Sequence, residues 1–400
     1  MSSSRDEKIS LPTAVIIGVN SMIGAGIFGT ISLFGSKIGP AGIISFIIAF
    51  FAIWFIAQAF ARVAYLYPQE GSFYNYTKQW GGHKLGLAAA GAYLFGLLTA
   101  MSLLCKIMCT FFLHEYIPSI SPTILGLGTI ALLAGLNMAG AVLSQIGQYI
   151  LIGMTLYPVI AITLLCLTNI NTANLTPFMP YGITSVISGI KAAVFGLFGF
   201  EGVASLFNIM HHPEKSVPAA LRISISIVGF IYFIFISSIL LGIPQSTFHM
   251  FESFPEVLAY AFPEHPWIVS SIDIAIIFSI MGTIHAVIWA CSELLFSYLK
   301  VIKIPALSKA ITQGRINKKT SVCLASLIMI TVFLTVEKMD IFFSLTNVCV
   351  LFAFITSIIS LLFIKQEWKS GKNYVTLIGL LSACAIFGIA LQNLVFTILA

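Results

Sequence analysis

Among the ionisable side chains inside hydrophobic runs of this sequence are Lys106, Glu201, Asp273 and His285. A charge at bilayer depth costs several kcal/mol unless it is paired or hydrated, so such groups are the first places to look for function. Glu201 reads either as a protonatable gate or coupling residue, or as a neutral acid whose hydrogen bonds hold its helix together. Lys106 reads as a functional cation or as a side chain that snorkels to the headgroups on its flexible stem. His285 fits a cavity wall and a satisfied interior histidine equally well.

The second chemical resource is backbone. Ile16 to Thr30 is apolar but carries Gly24, Ala25 and Gly26 at its centre, and Phe195 to Gly202 carries Gly196 and Gly199. A membrane helix satisfies its own backbone hydrogen bonds, so a break at mid-depth is tolerated only where it faces protein or a water-filled cavity. There the freed amides suit an anion and the freed carbonyls a cation. The competing explanation for either stretch alone is close helix contact through small residues. Matching interruptions in two halves of a chain favour a ligand site.

Other chemistries lack their residues. There is no Gly-x-Ser-x-Gly, no His-Glu-x-x-His and no pair of aspartates within a span, so an enzyme is not expected. The seven cysteines (Cys105, Cys109, Cys166, Cys291, Cys323, Cys349 and Cys384) fall in apolar runs without metal-ligand spacing and read as packing residues. No metal or other cofactor is expected.

The elements that must position these groups are membrane helices. The composition is 58% hydrophobic and 8% charged, where soluble domains carry roughly 25% charged residues. At about 20 apolar residues per crossing, eleven spans are expected, near 12–34, 40–66, 85–113, 123–141, 144–168, 186–210, 219–243, 267–293, 321–337, 341–364 and 374–398. The last is read as one helix, although Gly388 and Gln392 leave two short ones open. Residues 1–11 form a polar N-terminal segment, and the first span is too long to be a cleaved signal.

With that segment in the cytoplasm, Lys78, Lys84, Lys215, Arg222, Lys300, Lys303, Lys309, Arg315, Lys318, Lys319, Lys365, Lys369 and Lys372 fall on the inner side. Glu115, Glu252, Glu256, Glu264, Glu337 and Asp340 fall outside, and the exceptions are Lys37, Lys191 and Lys338. This is the positive-inside pattern. It accounts for the net charge of +6 without a nucleic-acid partner. Spans one to five (12–168) and six to ten (186–364) make two sets of five, which must insert in opposite directions because five is odd. The helix at 374–398 is additional.

Gly24-Ala25-Gly26-Ile27-Phe28 resembles the first-helix signature of amino acid permeases in the amino acid, polyamine and organocation (APC) transporter superfamily. Tyr67 to Tyr76 is similar to that family's Pro-x-x-Gly-Gly-x-Tyr-x-Tyr segment, and Asn137 to Gly140 to its Asn-x-x-Gly turn. Phe198 to Glu201 and Pro213 to Pro218 resemble its sixth span and exit loop. The resemblance implies an all-α LeuT-type 5+5 inverted repeat with helices 1 and 6 broken, working as a secondary transporter by alternating access. The implied partners are an amino acid, the lipid bilayer of the inner membrane and protons, with exchange as the other coupling mode. Polyamine or cationic amino acid antiport and a non-transporting sensor are the alternatives.

Carried over residue by residue, the resemblance places a substrate carboxylate at Gly24, Ala25 and Gly26, with Ile23 and Ile27 shaping the wall. Ser102, Phe195, Phe198 and Gly199 would complete the site, and Asn20, Ser21 and His285 would also reach the cavity. Lys106 and Asp273 lie at similar depth on helices that are neighbours in the implied fold, which suggests an ion pair or outer gate. Tyr74, Tyr76 and Trp80 read as an interfacial aromatic belt. Three features depart from the family: Thr155 stands where many relatives carry a lysine, Ile209 where an acid is usual, and Ser292-Glu293 where Ser-Arg is common. The family's usual twelfth span is also missing, a difference expected to affect assembly more than transport.

Overall fold

A computed structural model describes residues 8–251, 253–336, 338–364 and 373–399, and all the regular elements named below are helices. In hydrocarbon no water is present to satisfy the backbone, so apolar runs of this length form helices. Polar residues mark their starts. Ser10 caps Leu11–Met22 by accepting from the Thr13 amide, and Ser121 and Asn317 cap Pro122–Met138 and Lys318–Thr335 in the same way.

Among the described residues, nine helices are long and apolar enough to cross a membrane, and Leu11–Met22 with Gly26–Ile38 makes a tenth span bent by 44°. Pro122–Met138 is apolar but only 17 residues long. Counting it as the fourth span, a helix stands at each of the eleven expected positions, and residues 373–399 form one helix rather than two. Glu252, Glu337, Lys365, Lys369 and Lys372 of the charge pattern, and residues 1–7 of the N-terminal segment, lie outside the described residues.

One boundary needs correction. The loop expected before the third span is helical from Ser72, and the chain changes direction at Gly82, whose φ is +73°. Tyr74 and Tyr76 are consequently buried rather than part of an interfacial belt. Tyr74 is hydrogen-bonded to His83 at 2.8 Å, Tyr76 packs on Phe60, and Trp80 donates to the Thr356 carbonyl at 2.7 Å. The cysteines also divide: Cys105, Cys109, Cys166 and Cys291 are buried, whereas Cys323 and Cys384 are exposed.

Burial orders the spans around a centre. The most apolar window of the eighth (Trp267–Val301) is 83% buried and that of the third 72%, against 22% for the last (Tyr374–Ile398). The last span is therefore peripheral. The third and eighth stand beside the two broken helices.

Candidate functional site

The first span stops at Met22, where Ile23 leaves the helical range (φ −78°, ψ 84°); Gly24 is extended (φ −118°, ψ −156°), and a second half-helix starts at Ala25 with no side chain capping its first-turn amides. The sixth span behaves likewise. Gly182–Phe195 ends in a turn, Gly199 adopts φ +119°, and the chain continues as a 3-10 helix over Phe200–Ile209. The two breaks cross. A Cβ on Gly26 would lie 2.9 Å from the Gly196 Cα, and one on Gly199 would overlap the Ser21 carbonyl oxygen. Glycine is needed at both places, for close approach at Gly26 and for approach and conformation at Gly199.

Side chains fix the crossing. Glu201 is fully buried, and its Oε2 accepts from the Gly199 amide at 2.9 Å while Oε1 has no partner among the described residues. Tyr232 donates to the Met22 carbonyl at 3.1 Å. The Thr283 hydroxyl stands 2.8, 3.0 and 3.2 Å from the carbonyls of Asn20, Ser279 and Ile23.

Above the crossing lies a narrow pocket of about 50 Å³, walled by Met22, Leu97, Met101, Phe198 and Val287 and lined also by Asn347. It shares Gly26, Leu104, Phe195 and Asn347 with a wider space of about 400 Å³ that also touches Thr30, Ile107 and Phe343. Thr30 lies beyond the break from the N-terminus, so the pocket opens toward the face away from the N-terminus. Phe195 meets Phe343 edge to face at 5.6 Å in this mouth. Among the described residues, no Asp, Glu, Lys, Arg or His lines the pocket. Its polar resources are the uncapped half-helix N-terminus, break carbonyls, Ser21, Thr283, Thr346 and the buried Asn347 Oδ1, which has no hydrogen-bond partner among the described residues. Helix N-termini hold anions, so this set suits a molecule with a carboxylate, an ammonium and an apolar remainder.

The expected residues fall into two groups. Gly24, Gly26, Phe195, Phe198 and Gly199 line the pocket, as does Ser21. Ala25 begins the second half-helix. Ile23 and Ile27 are in the core behind the wall, 1% and 2% exposed, and do not line it. Ser102 does not line it either: it donates to the Leu98 carbonyl at 2.7 Å, and the third span presents Ala100 and Met101 instead. The cause is helical phase, about 100° per residue. Asn20 and His285 belong to a separate buried network. Asn20 donates to Gln148 at 2.5 Å, and His285 contacts Gln148 at 2.8 Å and Ser144 at 3.2 Å. The suggested pairing of Lys106 with Asp273 is not formed. Lys106 donates to the Val336 carbonyl at 2.6 Å, at the C-terminus of the ninth span, where a cation complements the helix dipole. Asp273 accepts from Tyr116 at 3.2 Å. Thr155 is buried and donates to its own helix. The reading from sequence missed Asn347 and Thr283; an amide inside the apolar tenth span was the available signal for the former.

The N-terminal face is closed below the crossing. Ile9 donates to the Ile209 carbonyl at 2.7 Å and His211 donates back to Ile9 at 3.0 Å. Asn208 donates to Glu70 at 2.5 Å, and Lys300 pairs with the same carboxylate at 3.1 Å.

A family model described as amino acid permease matches residues 9–398. The chain is 24% identical to the methylthioribose transporter of Bacillus subtilis over 327 residues, covering 76% of the chain and 70% of that protein. It is 26% identical to the aromatic amino acid transport protein AroP of Corynebacterium glutamicum over 301 residues, 70% of the chain and 64% of that protein. A third relative is the mitochondrial cationic amino acid transporter 3 of Arabidopsis thaliana, 26% identical over 263 residues, 59% of the chain and 42% of that protein.

Proposed function

The chain belongs to the amino acid permease family, and from that premise we propose that it carries a neutral, apolar amino acid across the cytoplasmic membrane by alternating access. The observation that carries the reading is the crossing of two glycine breaks at the floor of a pocket without a charged side chain. The substrate carboxylate sits at the amides following Gly24, and its ammonium near the carbonyls of the Phe195–Phe198 turn and Asn347 Oδ1. Its side chain lies against Met101, Phe198 and Val287.

Two five-helix repeats (12–168 and 186–364) supply one broken helix each. Spans one, two, six and seven rock against three, four, eight and nine. With the N-terminus in the cytoplasm, as the lysine distribution supports, the described conformation is open outward and latched inward. Glu201 is the proposed coupling or gating residue, because a buried carboxylate at a hinge that keeps one oxygen unpartnered is placed to exchange a proton when the hinge moves. Coupling is then to protons, or the carrier exchanges substrates. Carriage of polyamines or cationic amino acids is less well supported, since Glu201 lies behind Gly199 and no acid among the described residues lines the pocket.

The test is uptake of a labelled amino acid mixture into proteoliposomes, with and without a proton gradient and with unlabelled amino acids preloaded. Gradient-driven uptake means symport, and uptake only after preloading means exchange. No saturable uptake under any condition refutes the carrier reading and favours a sensor.

A further inference from the structure

A second cavity, of about 210 Å³, lies on the N-terminal side of the crossing and shares no lining residue with the pocket above. Along the sixth span, Asn208 is nine residues past Gly199, about 18 Å in a 3-10 helix; along the eighth, Glu293 is ten past Thr283, about 15 Å. Its walls come from Lys8, ahead of the first span, and the sixth span on one side and from the fourth, fifth, eighth and ninth on the other, which is the crevice that rocking would open.

The chemistry of its lining is unusual for this chain. Glu293 is 5% exposed; Oε1 pairs with Lys318 at 3.1 Å, while Oε2 is buried without a hydrogen-bond partner among the described residues. Lys8 and Lys319 line the same space, beside the indole of Trp289 and the aliphatic Val322. A carboxylate oxygen in this state calls for an N–H donor. An inorganic anion would leave that oxygen unpartnered and set a second negative charge beside Glu293. A simple cation would meet three ammonium groups. A molecule carrying one ammonium and one carboxylate satisfies both halves of the lining, and its side chain has Trp289 and Val322 to lie against.

We propose that this chamber is a second amino acid site on the transport path, with the ammonium held by Glu293 and the carboxylate by Lys8 and Lys319. The inference rests on the carrier reading above and deepens it: substrate leaving the crossing is held once more before release to the N-terminal side. The head group of an ethanolamine phospholipid carries the same pair of charges, and the test separates the two.

The experiment is equilibrium binding of labelled leucine to the purified full-length chain in detergent free of ethanolamine lipids. Two leucines per chain are expected at saturation. Glu293→Gln, which keeps shape and removes the charge, should halve the bound leucine. Val322→Phe, which fills the chamber without altering charge, should halve it too, and either variant decides the matter if the other does not fold. Ala100→Phe, which fills the upper pocket, should remove the other equivalent. One leucine per chain in the wild type, or two retained in the chamber variants, overturns the second site and leaves the carrier reading standing. One leucine lost to added ethanolamine lipid reassigns the chamber to the head group and overturns the proposal. No binding in any form overturns both.

Discussion

Gly26→Ala is the sharpest perturbation of the crossing. The added methyl would lie 2.9 Å from the Cα of Gly196, and because that atom is backbone it moves only if the two broken helices separate. Overpacking of this kind costs about 1–3 kcal/mol. At 1.4 kcal/mol per tenfold, that is roughly a 5- to 150-fold loss in transport rate or affinity, since the strain falls on the floor of the pocket. Alanine is also a better helix former than glycine by about 1 kcal/mol, an effect of opposite sign. Gly128, on the fourth span, isolates it: an alanine there meets nothing within 4 Å, so only the propensity gain remains. Initial rates of counterflow in proteoliposomes, read beside thermal stability, compare the two variants. Gly128→Ala should transport normally with unchanged or raised stability, and Gly26→Ala should be crippled. Equal behaviour of the two, or normal transport by Gly26→Ala, refutes the claim that the breaks meet at the site.

Asn347→Leu removes, from a residue that lines the pocket, an amide whose Oδ1 is buried and without a partner among the described residues. A hydrogen bond to a charged group contributes about 1.5–3 kcal/mol, so leucine affinity should fall roughly 10- to 150-fold by equilibrium binding. Glu201→Gln keeps the shape of a buried side chain that holds the Gly199 turn; counterflow should survive while accumulation driven by a pH gradient disappears, and equal loss of both would leave Glu201 only a structural role. Glu70→Ala breaks the bonds to Asn208 and Lys300 that latch the N-terminal face. The exposed ion pair and one hydrogen bond together contribute about 1–2 kcal/mol, so a cysteine at Ile209 should label roughly 5 to 30 times faster.

The membrane helices were legible because hydrophobic length alone dictates them, and helices stand at the eleven expected positions, one of them a short 17-residue helix. The glycine breaks were legible too, since Gly24 to Gly26 and Gly196 to Gly199 interrupt apolar runs at matching places in the two halves. What failed depends on rotation about a helix axis, which composition does not encode. Ser102 points to its own helix while Ala100 and Met101 face the pocket, and Ile23 and Ile27 turn into the core. Lys106 and Asp273 share a depth but not a direction, and each found a nearer partner in Val336 and Tyr116. The helix from Ser72 to Gly81 was hidden because its polar residues look like a loop to any count of apolar residues, although Tyr74 and Tyr76 are buried.

The most direct test of the central claim is an experimental density map of the purified chain with leucine bound. The account predicts density at the crossing, with the carboxylate at the amides after Gly24, the ammonium toward the Phe195–Phe198 turn and the side chain against Met101 and Val287. A leucine seated away from both breaks, or an empty crossing at saturating leucine, would contradict it.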